Sequence, residues 1–257
     1  MKRALTALAA VAIAGAGVLT AASPGVAAAP AHPKPTVVLV HGAFEDASAW
    51  APVTRRLLAE HYPVVAPAVP LRGIAADVAS LQGVLAAVPG PKILVGHSYG
   101  GLLISELAGR TADVKALVYA AAFIPEAGET AGQLNAQFPG SLIGPSTTHT
   151  VGPELFVNAA SYPSLFAAGL PALDTAVAAA GQRPILAAAF AEKITATAPA
   201  GIRKYALVAT RDQAIPPAAE RFQARRAHAS ITEVDSPHAI ASAAPGAVVD
   251  VIHRATR

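Results

Sequence analysis

The chain has 257 residues, 53% of them hydrophobic and 14% charged, with a formal net charge of +3. That balance excludes an intrinsically disordered, collagenous or coiled-coil protein. The sequence contains no cysteine, which excludes disulfides, a thiol nucleophile and thiolate metal sites.

Lys2 and Arg3 precede an uncharged apolar run from Ala4 to about Ala22, and small residues then lead to Val26-Ala27-Ala28-Ala29. A basic start, an apolar middle and an Ala-x-Ala-like end are the parts of an export signal. The expectation is a signal peptide over residues 1–29, cleaved after Ala28 or Ala29, and a secreted or extracytoplasmic mature protein without a membrane span. A retained anchor is the rival reading. The Ala/Gly-rich run and the lack of a basic stop-transfer cluster after it weigh against that rival. Losing Lys2 and Arg3 brings the net charge close to neutrality, so the charge offers no case for a nucleic-acid partner. The one basic cluster, Arg221, Arg225 and Arg226, has the spacing of a solvated helix face.

After the Pro-rich lead-in Pro30–Pro35, Thr36–His41 is a β-branched apolar run ended by Gly42. It shows no polar alternation, so it reads as a strand buried on both faces, typical of a parallel sheet. Similar runs recur at Pro63–Ala66, Lys92–Val95, Val114–Tyr119, Arg203–Ala209 and Ile231–Val234. Helical patterns separate them at Ala49–Glu60, Ile74–Val88, Tyr99–Gly109, Pro216–His228 and Ala239–Arg254. This alternation predicts an α/β fold with about six mostly parallel strands. Residues 124–200 break the pattern. A structureless loop of that length is improbable, so the segment reads as a small helical cap, with helix-like pieces at Leu173–Ala180 and Pro184–Lys193. The core is then 30–123 and 201–257.

The segment Lys92–Gly101 carries the chemistry. A buried strand runs into Gly96-His97-Ser98-Tyr99-Gly100, and a helical pattern follows. Gly-x-Ser-x-Gly between strand and helix is a nucleophile elbow, in which a strained turn exposes the serine hydroxyl. Gly96 and Gly100 are needed where strand and helix approach closely. The N–H groups after the serine point toward any oxyanion formed beside it.

A serine needs a base. Of the eight histidines, His238 follows the last strand, in Asp235-Ser236-Pro237-His238-Ala239. It therefore sits at the carboxyl edge of the sheet, where ligands bind in open α/β folds. His97 projects away from the serine, and His41 shapes the turn after the first strand. The orienting acid is Asp212, at the carboxyl end of the strand Arg203–Ala209; Asp235 is its rival, and capping the next helix is its blander role. The two oxyanion donors are the backbone N–H of Tyr99 and one from the loop after the first strand, Ala43 first and Phe44 next.

Four motifs, LVHGAF, GHSYGG, ATRDQAIPP and SPHAI, fall in order across about residues 36–255. In these the chain resembles the α/β-hydrolase superfamily. It is similar to the branch of plant methyl-ester esterases and hydroxynitrile lyases, and to secreted bacterial α/β-fold hydrolases. The resemblance implies a Ser98–Asp212–His238 triad with Ala43 and Tyr99 as oxyanion donors. The lyases of that branch carry a Thr near the oxyanion loop and a Lys after the catalytic His. Here Ala43 and Ala239 stand at those places, which favours ester hydrolysis.

The expected activity is hydrolysis of a small to medium, uncharged, hydrophobic carboxylic ester through an acyl-enzyme on Ser98. No metal or cofactor is called for. The alternatives are a hydroxynitrile-lyase-like or cofactor-free haloperoxidase-like enzyme, or a non-catalytic ligand-binding protein on the same fold. Residues 130–200 carry only Glu154, Asp174, Arg183, Glu192 and Lys193 as charged groups. Among Leu134, Phe138, Leu142, Leu155, Phe156, Tyr162, Leu165 and Phe166, two or three are expected to touch substrate. Trp50 reads as a packing residue.

Overall fold

The computed structural model describes residues 34–257; the expected signal peptide over residues 1–29 lies outside them. In chain order the elements are β1 (Thr36–Val40), α1 (Ala51–Ala59), β2 (Val64–Val65), α2 (Ile74–Ala86), β3 (Lys92–Ser98), α3 (Gly100–Ala108) and β4 (Val114–Ala122). Then follow α4 (Ala131–Ala136), β5 (Thr148–Val151), β6 (Glu154–Val157), α5 (Tyr162–Phe166), α6 (Ala172–Ala180) and β7 (Ile185–Leu186). The chain closes with β8 (Arg203–Ala209), α7 (Pro217–Arg226), β9 (Ser230–Val234), α8 (Ile240–Ala243) and α9 (Pro245–Ala255).

Six strands form one sheet in the order β2-β1-β3-β4-β8-β9, and every neighbouring pair is parallel. The apolar runs explain it. Val37 and Leu39 of β1 face one layer and Val38 and Val40 the other; Ile93 and Val95 alternate with Leu94 on β3 in the same way. A strand that is apolar on both faces needs a helical layer on each. Here α1, α8 and α9 cover one face, and α2, α3 and α7 the other. Trp50 is fully buried in the first layer, as packing. No described helix is long and apolar enough to cross a membrane. The basic face of α7 is ion-paired: Arg221 Nε donates to Glu233 at 2.8 Å, and Arg226 Nη1 to Glu129 at 2.6 Å.

The structure departs from the sequence expectation in two places. The final helix is broken in two at Ala244, which sits at φ −138°, ψ 54°. It precedes Pro245, and a residue before proline is pushed out of the helical region. Within residues 124–200, α6 matches the expected helix, but β5, β6 and β7 form a three-stranded antiparallel sheet that the sequence pattern did not reveal. The expected helix at Pro184–Lys193 is instead the short β7 and a 3-10 turn. Leu186 N–H donates to Leu71 O and Ala187 N–H to Pro153 O, so tertiary pairing takes donors a helix would have used.

Candidate active site

β3 delivers Ser98 at its last residue, and α3 starts two residues later. Ser98 has φ +52°, the left-handed region that side chains other than glycine rarely adopt. The strain turns the chain sharply and leaves Ser98 facing a cavity, 8% exposed. The flanking glycines fit the close approach expected of them. A Cβ on Gly96 would sit 2.6 Å from Gly100 O, and one on Gly100 would sit 2.5 Å from Val40 O.

Asp212 and His238 leave the ends of β8 and β9. His238 Nδ1 lies 2.5 Å from Asp212 Oδ2, both side chains buried. A carboxylate accepts, so Nδ1 carries a proton, and in the neutral ring Nε2 then presents a lone pair. Among the described residues, buried Nε2 has no hydrogen-bond partner. The bond to Ser98 Oγ is not made, although the residue next to Ser98, His97, has its ring centroid 4.6 Å from that of His238. Asp212 Oδ1 also accepts from Ala214 N–H at 2.7 Å and Ile215 N–H at 2.9 Å. It thus shapes the turn before α7 while its other oxygen holds the imidazole. The edge of Phe166 packs on the His238 ring, centroids 4.9 Å apart at 82°. Asp235 points outward, 82% exposed, and bonds Arg211.

The loop after β1 lies against the serine: a Cβ on Gly42 would sit 2.8 Å from Ser98 Cβ. His41 holds the loop. Its Nε2 accepts from Val69 N–H at 2.9 Å, so Nδ1–H donates to Gly42 O, also at 2.9 Å. Burial keeps this ring neutral and pushes its pKa below the ordinary 6.5. Ala43 and Phe44 line the cavity beside Ser98. The backbone N–H groups of Ala43, Phe44 and Tyr99 make no backbone hydrogen bond among the described residues.

The cavity is about 790 Å³ and has no Asp, Glu, Lys or Arg in its wall. Phe138, Leu155 and Phe166, three of the eight apolar candidates, line it together with Phe123, Phe190 and Ile215. His149 is the one imidazole in the wall; it bonds Asn158 and stacks on Phe156.

Residues 37–251 match the profile of the Alpha/beta hydrolase family. The chain belongs to that family. Solved α/β-hydrolase structures with the same fold include a pyrethroid hydrolase from Sphingobium faniae JZ-2, with TM-score 0.71, 20% identity and coverage of 86% of this chain and 96% of that one. A methylesterase from Arabidopsis matches with TM-score 0.71 and 18% identity over 86% and 98% of the two chains. Tomato methylketone synthase I complexed with 2-tridecanone matches with TM-score 0.75 and 19% identity over 87% and 99%. At these identities the likeness is one of fold. No curated protein matches the sequence significantly.

Among the buried acids that the sequence pattern does not mark, two bear on the candidate triad. Glu45 sits just beyond the candidate oxyanion donors and bonds His97. Glu220 on α7 accepts from Ala209 N–H at 3.2 Å, and its Oε1 has no partner among the described residues. Burial, then the negative charge of Asp212, hold its carboxyl well above the usual carboxylate range. Glu45 lies 52 positions from His97, and Glu220 lies on the helical pattern after Asp212 with no motif to mark it.

Proposed function

We propose that this α/β hydrolase is a serine esterase for neutral, hydrophobic carboxylic esters, with Ser98 as nucleophile, His238 as base and Asp212 as orienting acid. One observation carries the reading. A buried imidazole, fixed on a carboxylate through Nδ1 with Nε2 left open, stands at the same rim as a strained, cavity-facing serine. His238 Nε2 takes the Ser98 proton as Oγ attacks the ester carbonyl carbon, and Asp212 offsets the imidazolium charge. The carbonyl oxygen becomes an oxyanion held by the N–H groups of Ala43 and Tyr99, each worth about 3 kcal/mol to the transition state. His238 returns the proton to the leaving alcohol, and water then releases the acid.

The cavity supports the substrate class. Its 790 Å³ lies in the upper part of the roughly 300–1,000 Å³ range of small-molecule sites, room for a medium to bulky ester. A wall without formal charge gives a charged acyl or alcohol group no partner, and burying one without a partner is costly. The esterase and hydrolase among the structural relatives agree with this chemistry, and Ala239 stands where the resembling lyases carry a Lys. We read residues 124–200 as a cap that shapes the cavity, and residues 1–29 as an export signal. Protein recovered from culture medium should then begin at Ala29 or Pro30; one retaining Met1 contradicts export.

The test is a panel of p-nitrophenyl esters of rising acyl length, assayed on the wild type beside Ser98→Ala. Wild-type turnover that rises with apolar acyl length and vanishes in the variant supports the reading. Equal rates for both proteins overturn it.

A further inference from the structure

The reaction uses one carboxylate–histidine pair, and the structure holds a second directly behind it. We propose that Glu45 and His97 form a buried ion pair that positions the catalytic imidazole, with His97 holding His238 by its main-chain carbonyl. The proposal rests on the esterase reading and adds two positioning residues to it.

Proton counting gives the pair its charge. His97 Nε2 lies 2.8 Å from His238 O, and a carbonyl oxygen only accepts, so Nε2 carries a proton. His97 Nδ1 lies 2.8 Å from Glu45 Oε2. That oxygen also accepts from Gly42 N–H at 3.3 Å; we place the shared proton on Nδ1, with Glu45 as the carboxylate. An imidazole with both nitrogens protonated is a cation. The two side chains are 3% and 7% exposed, and a buried cation and anion in contact stabilise each other's charged form. Burial is the largest influence on His97 and lowers its pKa, but the Glu45 charge, the hydrogen bonds to Glu45 and to His238 O, and the Asp212 charge together hold the ring above its ordinary 6.5. Burial is likewise the largest influence on Glu45 and raises it, and the charge and hydrogen bond of His97 with the charges of His238 and His41 together reverse this.

The pair joins three chain segments, two from the neighbouring strands β1 and β3 and one from the far edge of the sheet. Glu45 belongs to the loop of the oxyanion donors, after β1. His97 precedes the nucleophile on β3. His238 follows β9, with β4 and β8 lying between β9 and β3. Donor, nucleophile and base are thus tied through one charged contact. The electrostatics also bear on the reaction. His238 becomes cationic during attack, and a lone His97 cation with its centroid 4.6 Å away would oppose this; Glu45 cancels that charge. The titratable groups facing the pair are Asp212 and His238 from the loops after β8 and β9, with His41 behind Glu45. Trp50 packs against His97 with the rings perpendicular, centroids 6.3 Å apart.

The test is the pH dependence of kcat and KM on one p-nitrophenyl ester for the wild type, Glu45→Gln and Glu45→Ala. It is paired with ¹⁵N NMR of the His97 ring on the whole protein. Wild-type kcat should fall at an ionisation above 6.5 as His97 loses its proton. At pH 7 both His97 ring nitrogens should be protonated in the wild type and only one in Glu45→Gln. Both variants should lose kcat by about 10- to 100-fold with KM within about twofold, since Glu45 does not line the cavity, and both should lose the alkaline fall. Glu45→Gln keeps the side-chain shape, so it serves if Glu45→Ala does not fold. A neutral His97 in the wild type, or a Glu45→Gln enzyme with wild-type kcat and an unchanged profile, overturns the proposal while leaving the esterase reading intact. A wild type that hydrolyses no ester overturns the esterase reading, and this proposal falls with it.

Discussion

Ser98 at φ +52° stores backbone strain of about 1–3 kcal/mol, and the tightly packed strand-to-helix crossing around it keeps it in place. Asp212 divides its two oxygens between backbone and imidazole, which makes Asp212→Asn informative. The amide oxygen can still accept from Ala214 and Ile215 N–H. The amide NH₂ then faces His238 Nδ1 and forces the proton onto Nε2, the wrong tautomer for a base. We predict a fall in kcat of about 10⁴-fold with the thermal transition nearly unchanged; steady-state kinetics and calorimetry check this. Glu220 offers a stability test. Its raised carboxyl holds its proton to higher pH in the folded state than in the unfolded chain, which ionises it above the ordinary 4.5. Stability is therefore lost as pH rises from 4.5 toward the folded pKa. Glu220→Gln removes that loss and should raise Tm at pH 8 by about 2–4 °C, equivalent to about 1 kcal/mol, with a smaller gain at pH 5. An unchanged or lower Tm at pH 8 would count against a neutral Glu220.

The elements work as brackets for these side chains. β1, β3, β8 and β9 each end at the same edge of the sheet, and each end carries one part of the proposed site. The fit of β1 to α3 depends on Gly100, where a Cβ would lie 2.5 Å from the backbone carbonyl of Val40. Gly100→Ala must push β1 and α3 apart, and we predict a loss of about 1–3 kcal/mol with activity falling further, because the Ala43 loop moves with β1. Chemical denaturation and the ester assay read the two effects separately. This level was largely legible in the sequence. Runs such as Thr36–Val40 and Arg203–Ala209 contain too many adjacent apolar residues to be anything but doubly covered strands, and turns at their ends placed Ser98, Asp212 and His238 on one rim. The β5–β6–β7 sheet was not legible. Three of the four β5 residues are exposed and β7 has two residues, so neither carries an apolar period; pairing partners decide their conformation. Glu45 was hidden for a related reason, since its value comes from His97, 52 positions away.

Across the whole molecule, residues 124–200 meet the six-stranded core over the cavity, and two buried or partly buried acids fasten them. Glu192 accepts from Ile74 N–H at 2.7 Å and Ala75 N–H at 2.9 Å at the start of α2. Glu106 of α3 accepts from the backbone of Thr195 and of Ala196. The wall they hold in place is free of formal charge, and the account predicts that this decides selectivity. Leu155→Asp puts a carboxylate into that wall. KM for long apolar p-nitrophenyl esters should rise at least tenfold, with a smaller change for the acetate; equal changes for both would mean the cavity does not choose the acyl group. The central claim, that Ser98 is made reactive by His238 and Asp212, is tested most directly by a fluorophosphonate probe with peptide mapping by mass spectrometry. One adduct per chain, on the peptide containing Ser98, absent in Ser98→Ala and strongly slowed in His238→Ala, is the predicted result. An unlabelled wild type, or an adduct on another residue, would contradict the account.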